Sequence, residues 1–234
     1  METVDFKRLE LTPGARVLDL GCGEGRHSVG AAFARSIMVV GLDMNRLDLI
    51  NANEKADEFL GEKHGVSWTQ GDALQLPFHD HAFDCVIISE VLEHLHDANT
   101  VLAEASRVVR PGGRVAVSVP RFVPEWICWR LSPDYHAVPG GHVRIFTEQA
   151  LITAVRAHGF KVITRHWAHA LHTPYWWLKC ALWSRRTESR LIKAYHHFLV
   201  WDLMKKPRLT RGLERLLNPL MGKSLVLYLE RTHG

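Results

Sequence analysis

Three glycines at alternate positions, Gly21, Gly23 and Gly25, follow Asp19 and the apolar run Val17-Leu18-Asp19-Leu20. An apolar run that breaks into glycines reads as a buried strand turning sharply into a helix. Glycine tolerates dihedrals closed to other residues and lets a ligand approach the main chain. Such a loop sits at the carboxyl end of its strand, where open α/β sheets bind nucleotides. Further acids stand where other apolar runs end: Asp43, Asp72 and Glu90. A strand-end acid can accept hydrogen bonds from ribose hydroxyls, and its charge strengthens them. The chain also holds fifteen histidines, the side chain best suited to take a proton near neutral pH. His94 follows the fourth apolar run, and His142 lies in Pro139-Gly140-Gly141-His142-Val143-Arg144-Ile145-Phe146-Thr147.

These residues need a frame. Through Pro120 short apolar runs alternate with amphipathic stretches, the pattern of βαβ units and a parallel sheet. The strands are expected at Arg16–Leu20, Ile37–Leu42, Val66–Gln70, Phe83–Ser89 and Arg114–Val119. The helices between them are expected at Gly25–Ala34, Asn45–Lys63 and Asn99–Val109, the last stopped by Pro111-Gly112-Gly113. A further helix, Glu148–His158, precedes a sixth strand, Phe160–His166, and a seventh is expected at Ser224–Glu230. Trp167 to Lys223 separates the last two strands. This connection is far longer than the usual few residues and must carry its own helices.

The run Gly21-Cys22-Gly23-Glu24-Gly25 resembles the glycine loop of class I S-adenosylmethionine-dependent methyltransferases, and the later strand ends match that family in order. Ile88-Ser89-Glu90-Val91-Leu92-Glu93-His94-Leu95 resembles the segment after the fourth strand in the ubiquinone- and menaquinone-biosynthesis type. The resemblance covers about Thr12 to Val119, half of the chain. It implies a Rossmann-like, seven-stranded, mostly parallel sheet with helices on both faces and a helical insertion before the last strand. Residues 1–166 with 224–234 would form the cofactor-binding domain, and 167–223 a cover over the substrate. It also implies cofactor roles. Gly21, Cys22, Gly23 and Gly25 would lie under the methionine part, and Asp19 would help hold its amino group. Asp43 would bind the ribose and Met44 pack on the adenine. After Gly71, Asp72 would accept from the adenine amino group, and Ala73 would offer its backbone amide. Ser89 and Glu90 would line the methionine side. A nicotinamide dehydrogenase, the rival reading, needs its third glycine where this chain has Arg26.

Methyl transfer from a sulfonium leaves a neutral thioether, so the protein's task is to align nucleophile, methyl and sulfur. A hydroxyl nucleophile also needs a base. His142 and His94 are the candidate catalytic residues, with Tyr135, His136 and Arg144 as candidate substrate contacts. O-methylation of a small, lipophilic acceptor is favoured over C-methylation. The alternative is a cofactor-binding scaffold without transfer activity. No ligand set has a known metal spacing, His79-Asp80-His81 and the His166, His169, His172 series included, so no metal is expected. No base-methylating Asn/Asp-Pro-Pro-Tyr/Phe motif follows the fourth strand, which argues against a nucleic-acid substrate.

Composition sets the outer bounds. The four cysteines are scattered, which fits a reducing cytosol and argues against a disulfide framework. No signal pattern and no apolar run of spanning length is present, so a cytoplasmic location is expected. Pro174 to Lys223 carries eleven Lys/Arg against three Asp/Glu, although the whole chain is only +4. Seven of the eight tryptophans lie beyond residue 125. Aromatic amphipathic helices with basic edges suit a pocket for a lipophilic molecule, or peripheral contact through 174–206 with the inner face of a membrane.

Overall fold

The computed structural model describes residues 2–34, 37–61 and 65–232. Its strands are β1 (Arg16–Leu20), β2 (Met38–Asp43), β3 (Val66–Gln70), β4 (Phe83–Ser89), β5 (Val109–Pro120), β6 (Phe160–Ala168) and β7 (Ser224–Arg231). They form one sheet in the order β3-β2-β1-β4-β5-β7-β6. Strands β1 to β5 pair in parallel, and β7 runs antiparallel to both β5 and β6. This is the expected Rossmann-like sheet, with the last strand slotted between the fifth and sixth.

The central strands are buried on both faces, as their nearly continuous apolar sequences require. Successive side chains then feed two cores. Leu18, Leu20, Val86, Ile88, Val115 and Val117 point to one face, together with Leu102 and Leu151. Val17, Val39, Cys85, Ile87 and Ala116 point to the other, where Phe6, Leu9 and Ala31 cover them. The covering helices are α1 (Arg26–Ala34), α2 (Arg46–Leu60), α3 (Ala98–Val108) and α6 (Glu148–Ala157). Their starts are capped by side chains: Asn45 accepts from Leu47 N, Asp97 from Thr100 N and Thr147 from Ala150 N. Such caps satisfy amides that have no partner inside the helix.

Several boundaries differ from expectation: β2 runs Met38–Asp43, β6 reaches Ala168 and β7 reaches Arg231. Helix α3 ends at Val108, and β5 already begins at Val109. The pairing then jumps from Phe83↔Val109 to Cys85↔Arg114. Pro111-Gly112-Gly113 therefore interrupts a strand rather than stopping a helix, with Gly112 at φ 72°. Helix α2 ends at Leu60, capped by Gly61 at φ 80°, short of the expected Lys63, a position outside the described residues.

Helices α4 (Phe122–Leu131) and α5 (Pro133–His136) follow β5. The connection from β6 to β7 holds α7 (Thr173–Ala181), α8 (Arg190–Lys205) and α9 (Arg208–Met221). Helix α7 packs on α4 around buried Cys128, Tyr135 and Cys180, with Trp129, Trp176, Trp177 and Trp183 against them. Trp177 donates its indole N–H to the Pro124 carbonyl at 3.0 Å. Most of the tryptophan-rich first half of the connection is thus a small aromatic core tying the connection to the fold.

Candidate active site

The carboxyl ends of β1, β2 and β4 meet at the glycine loop. The amides of Gly21 and Cys22 both donate to the Leu42 carbonyl, at 2.8 and 3.0 Å. Asp43, at the end of β2, accepts from Gly23 N through Oδ2 and from Asn45 N through Oδ1, each at 2.8 Å. It therefore braces the loop and keeps further lone pairs for a ligand. Gly23 has φ 51°, and nothing stands within 4 Å of where a Cβ would be. Bare backbone thus faces open space beside a carboxylate, a cradle suited to a nucleoside. Gly71 N donates to the Asp43 carbonyl at 3.1 Å, and Asp72 accepts from Leu74 N at 2.9 Å. Ala73 is buried and Met44 is exposed.

Gly25 is constrained differently. It has φ 76°, and a Cβ there would meet Trp68 Cη2 at 2.6 Å and Ala52 Cβ at 2.9 Å. The Trp68 indole lies across the loop and donates to Asn53 at 3.2 Å. Gly25→Ala should destabilise the fold by about 2–4 kcal/mol, the sum of a left-handed backbone and an overpacked contact. A urea melt checks this, and a loss under about 0.5 kcal/mol would show that the indole moves freely.

Asp19 lies beneath the loop, almost fully buried, and accepts from the Ser28 hydroxyl at 2.6 Å. Burial pushes its pKa up to about 6 against the opposing Ser28 hydrogen bond. Cys22 is also buried, and burial raises its thiol pKa, so it stays protonated.

The segment after β4 lies directly against the loop: a Cβ on Gly21 would meet Val91 Cγ2 at 2.5 Å. Glu90 is held at φ 57°, and its carboxylate accepts from Ser118 at 2.9 Å, itself 2.9 Å from Ser89 Oγ. A left-handed glutamate is strained, and such strain gathers at functional sites. Beyond it Glu93 is buried with neither carboxylate oxygen hydrogen-bonded. Burial, then the charge of Glu90, raises its pKa well above the ordinary value.

His94 and His142 stand edge to face with ring centroids 4.8 Å apart. The amide of Val143 donates to the Glu93 carbonyl at 2.9 Å, which clips the loop carrying His142 to this turn. His142 Nδ1 lies 2.6 Å from Glu125 Oε1, which also accepts from Trp129 Nε1 at 3.1 Å. Glu125 Oε2 accepts from the Tyr135 hydroxyl at 3.4 Å. Burial alone would raise the pKa of Glu125, but the bond to His142 and the nearby Lys223 hold it below its ordinary value. Burial and His142 lower the pKa of His94. His136 stacks on Trp129 at 4.1 Å, and Arg144 donates to the His96 carbonyl at 2.5 Å.

The fold thus brings the cofactor-type residues together at one sheet edge, with His94, His142 and Tyr135 gathered beside them. Arg144 is engaged by its own loop. Glu125 and Glu93 are the residues that sequence reasoning missed. A signal existed for Glu125, a lone acid in the apolar run Phe122 to Trp129, since a buried acid needs a reason. Two ligand-type groups hidden by sequence spacing also emerge among the described residues, Glu93–His94–His142 and His169–His172–Glu214.

A cleft of about 460 Å³ opens between the loop and the connection, lined by Arg26, Glu90, His172, Trp176, Lys179 and Lys223 among others. The ammonium groups of Lys179 and Lys223 lie 4.6 and 5.3 Å from the Trp176 ring. Tyr135 joins the two regions, its ring centroid 5.9 Å from Trp176 and 6.0 Å from His142.

Comparison with known proteins places this geometry. Residues 18–117 match a family model described as a methyltransferase domain. Over 117 residues the chain is 37% identical to the 27-O-demethylrifamycin SV methyltransferase of Amycolatopsis mediterranei, covering 50% of this chain and 43% of that one. Over 116 residues it is 37% identical to the demethylmenaquinone methyltransferase of Lactobacillus johnsonii, covering 48% and 46%. The chain thus spans about half the length of the curated relatives it matches. Its fold is similar to that of geranyl diphosphate C-methyltransferase from Streptomyces coelicolor, with a TM-score of 0.64 at 18% identity over 97% of this chain and 76% of that one.

Proposed function

We propose that this chain, whose residues 18–117 match a methyltransferase-domain model, is a class I S-adenosylmethionine-dependent methyltransferase that methylates a small acceptor, on oxygen, in the cleft beside Glu90. The observation that carries this reading is the packing of Val91 on Gly21, which sets His94, His142 and Glu125 beside the cofactor loop. When bound, the cofactor supplies an electrophilic methyl on a sulfonium.

The chain's own residues do the rest. Asp43 and the bare amides of the glycine loop hold the nucleoside end, with Asp72 and Ala73 at the base. Asp19, beneath the loop and bonded to Ser28, would hold the cofactor's amino group. Glu90, Ser89 and Ser118 fix the methionine side. Glu125 accepts from Nδ1–H of His142, which leaves Nε2 free to take the acceptor's proton. His94, whose pKa burial and His142 lower, packs against that imidazole. Tyr135 and His136 wall the acceptor side.

Relatives named for O-methylation and for a menaquinone precursor support a small-molecule acceptor. Tyr175, Trp176, Leu199 and Leu203 give the cleft an apolar wall, while Lys179 and Lys223 face it with positive charge. An amphipathic acceptor with an apolar body and an anionic group fits this lining. Residues 167–223 act as its cover. The membrane contact expected through 174–206 concerns the outer faces of the last helices, not α7.

The test is to incubate the protein with methyl-labelled cofactor and cell extract, and to partition the products between organic solvent and water. Label in the organic phase, lost with Asp43→Ala, is the expected result. Label only in water would overturn the lipophilic acceptor. Cofactor bound stoichiometrically with no label in either phase would favour the scaffold.

A further inference from the structure

Helix α9 carries an exposed stripe of leucines. Leu209, Leu213, Leu216 and Leu220 recur at helical spacing and are 82, 44, 71 and 75% exposed. The end of α8 extends the patch with Trp201 (48%), Leu203 (40%) and Met204 (75%). Contiguous apolar surface of this kind marks an interaction site. The opposite face of α9 is firmly seated. Thr210 is buried, Asn218 Oδ1 accepts from Ala170 N at 3.0 Å, and Arg211 pairs with Glu214 at 2.9 Å and with Asp202. The helix is therefore docked, and its leucines face outward by construction.

Charge selects the occupant. Lys205, Lys206, Arg208 and Arg215 are exposed around the stripe. The acids of these two helices are Asp202 and Glu214, one buried and the other half-buried, and both are taken by Arg211. The exposed charges that these two helices set around the stripe are thus cationic, while Glu2 and Glu24 share a neighbouring hollow with Lys206. A second copy meeting this face symmetrically would set the same cations against each other, which is unfavourable. An anionic lipid surface offers both an apolar layer and negative headgroups. No helix of the described residues is long and apolar enough to cross a membrane, so the contact would lie in the interface plane.

We propose that α9, with the end of α8, docks this protein flat on an anionic bilayer. Leucines 209, 213, 216 and 220 enter the acyl boundary, and Lys205, Lys206, Arg208 and Arg215 meet the headgroups. Leu203 also lines the cleft beside Trp176, so docking sets one wall of that cleft against the lipid. The proposal stands on the helix faces alone and does not require methyl transfer.

The experiment is flotation of the full chain with phosphatidylcholine vesicles containing 30% phosphatidylglycerol, against pure phosphatidylcholine. Wild type should float with the anionic vesicles only, and less so at high salt. Leu209→Glu with Leu216→Glu should weaken partitioning about tenfold or more, and Arg208→Ala with Arg215→Ala about tenfold. The replaced side chains are exposed, so circular dichroism and cofactor binding should be unchanged in both variants. No flotation, or equal flotation with pure phosphatidylcholine, would overturn the proposal. So would a dimer by light scattering that the double leucine variant converts to monomer, because the stripe would then be a protein interface.

Discussion

Asp19→Asn should raise the melting temperature of the cofactor-free protein at pH 7.5, yet weaken its affinity for S-adenosylmethionine by on the order of 10²-fold. Asp19 is buried, and burial holds its pKa near 6, above the ordinary 3.8. The sign follows from linkage. A carboxyl whose folded pKa is raised carries no penalty below its unfolded pKa; the penalty builds as pH rises from the unfolded to the folded value and is constant above it. By pH 7.5 that penalty is about 2–3 kcal/mol. Asparagine removes it and still offers Ser28 an acceptor, although its extra N–H groups offset part of the gain. At pH 5 the folded carboxyl is largely protonated while the unfolded one is still ionised, so about half of the penalty remains and the difference in melting temperature should shrink by about half, vanishing only below the ordinary 3.8. Binding should follow the opposite course. An amino group beside Asp19 needs the carboxylate, so wild-type affinity should fall as pH drops through about 6. Calorimetric titration and thermal melts at pH 5.0, 6.0 and 7.5 read both effects. A variant that binds as wild type would place the amino group elsewhere.

His142→Ala should lower kcat by on the order of 10²–10³ with an oxygen acceptor, while the cofactor Kd changes less than about twofold. Glu125 is a positioning residue here: it holds Nδ1 of His142 and so presents Nε2. Glu125→Gln should cost about tenfold in kcat, with KM little changed. One readout separates this from a structural role. Added imidazole should restore part of the activity of His142→Ala but none of that of Glu125→Gln. The Glu125 variant also leaves Trp129 and Tyr135 with a weaker acceptor, so its melt must be measured beside its rate. Unchanged turnover in His142→Ala would overturn the base and point to a carbon acceptor, which needs no imidazole there.

Both variants test a site that was unevenly legible in the sequence. The cofactor half could be read because each element is local. Asp19, the glycine loop, Asp43 and Asp72 each end an apolar run, and a parallel sheet must bring its strand ends to one edge. The strands at 16–20, 66–70 and 83–89 have their expected limits, since buried central strands leave continuous apolar runs. The start of β5 was not legible. A Pro-Gly-Gly segment reads as a helix stop, and only the pairing of Val109 with Phe83 makes it an interruption within a strand.

The acceptor half was another matter. His142 and Tyr135 could be named as residues able to do chemistry, but Glu125 could not. Its role comes from a contact across 17 residues between a helix and a loop, with no periodicity to announce it. The seven later tryptophans divide in the same way. Trp177 and Trp183 pack against Cys128 and Cys180, Trp176 does so while lining the cleft, and Trp201 stays about half exposed beside Phe198. The leucines of α9 show their helical spacing in the sequence, yet spacing cannot say whether a stripe faces a core or solvent. By itself, then, the sequence determined the fold class and where most strands end, both set by local patterns of burial and turning. The tertiary structure alone decided which histidine gains a carboxylate and which helix faces outward, because those depend on neighbours distant along the chain.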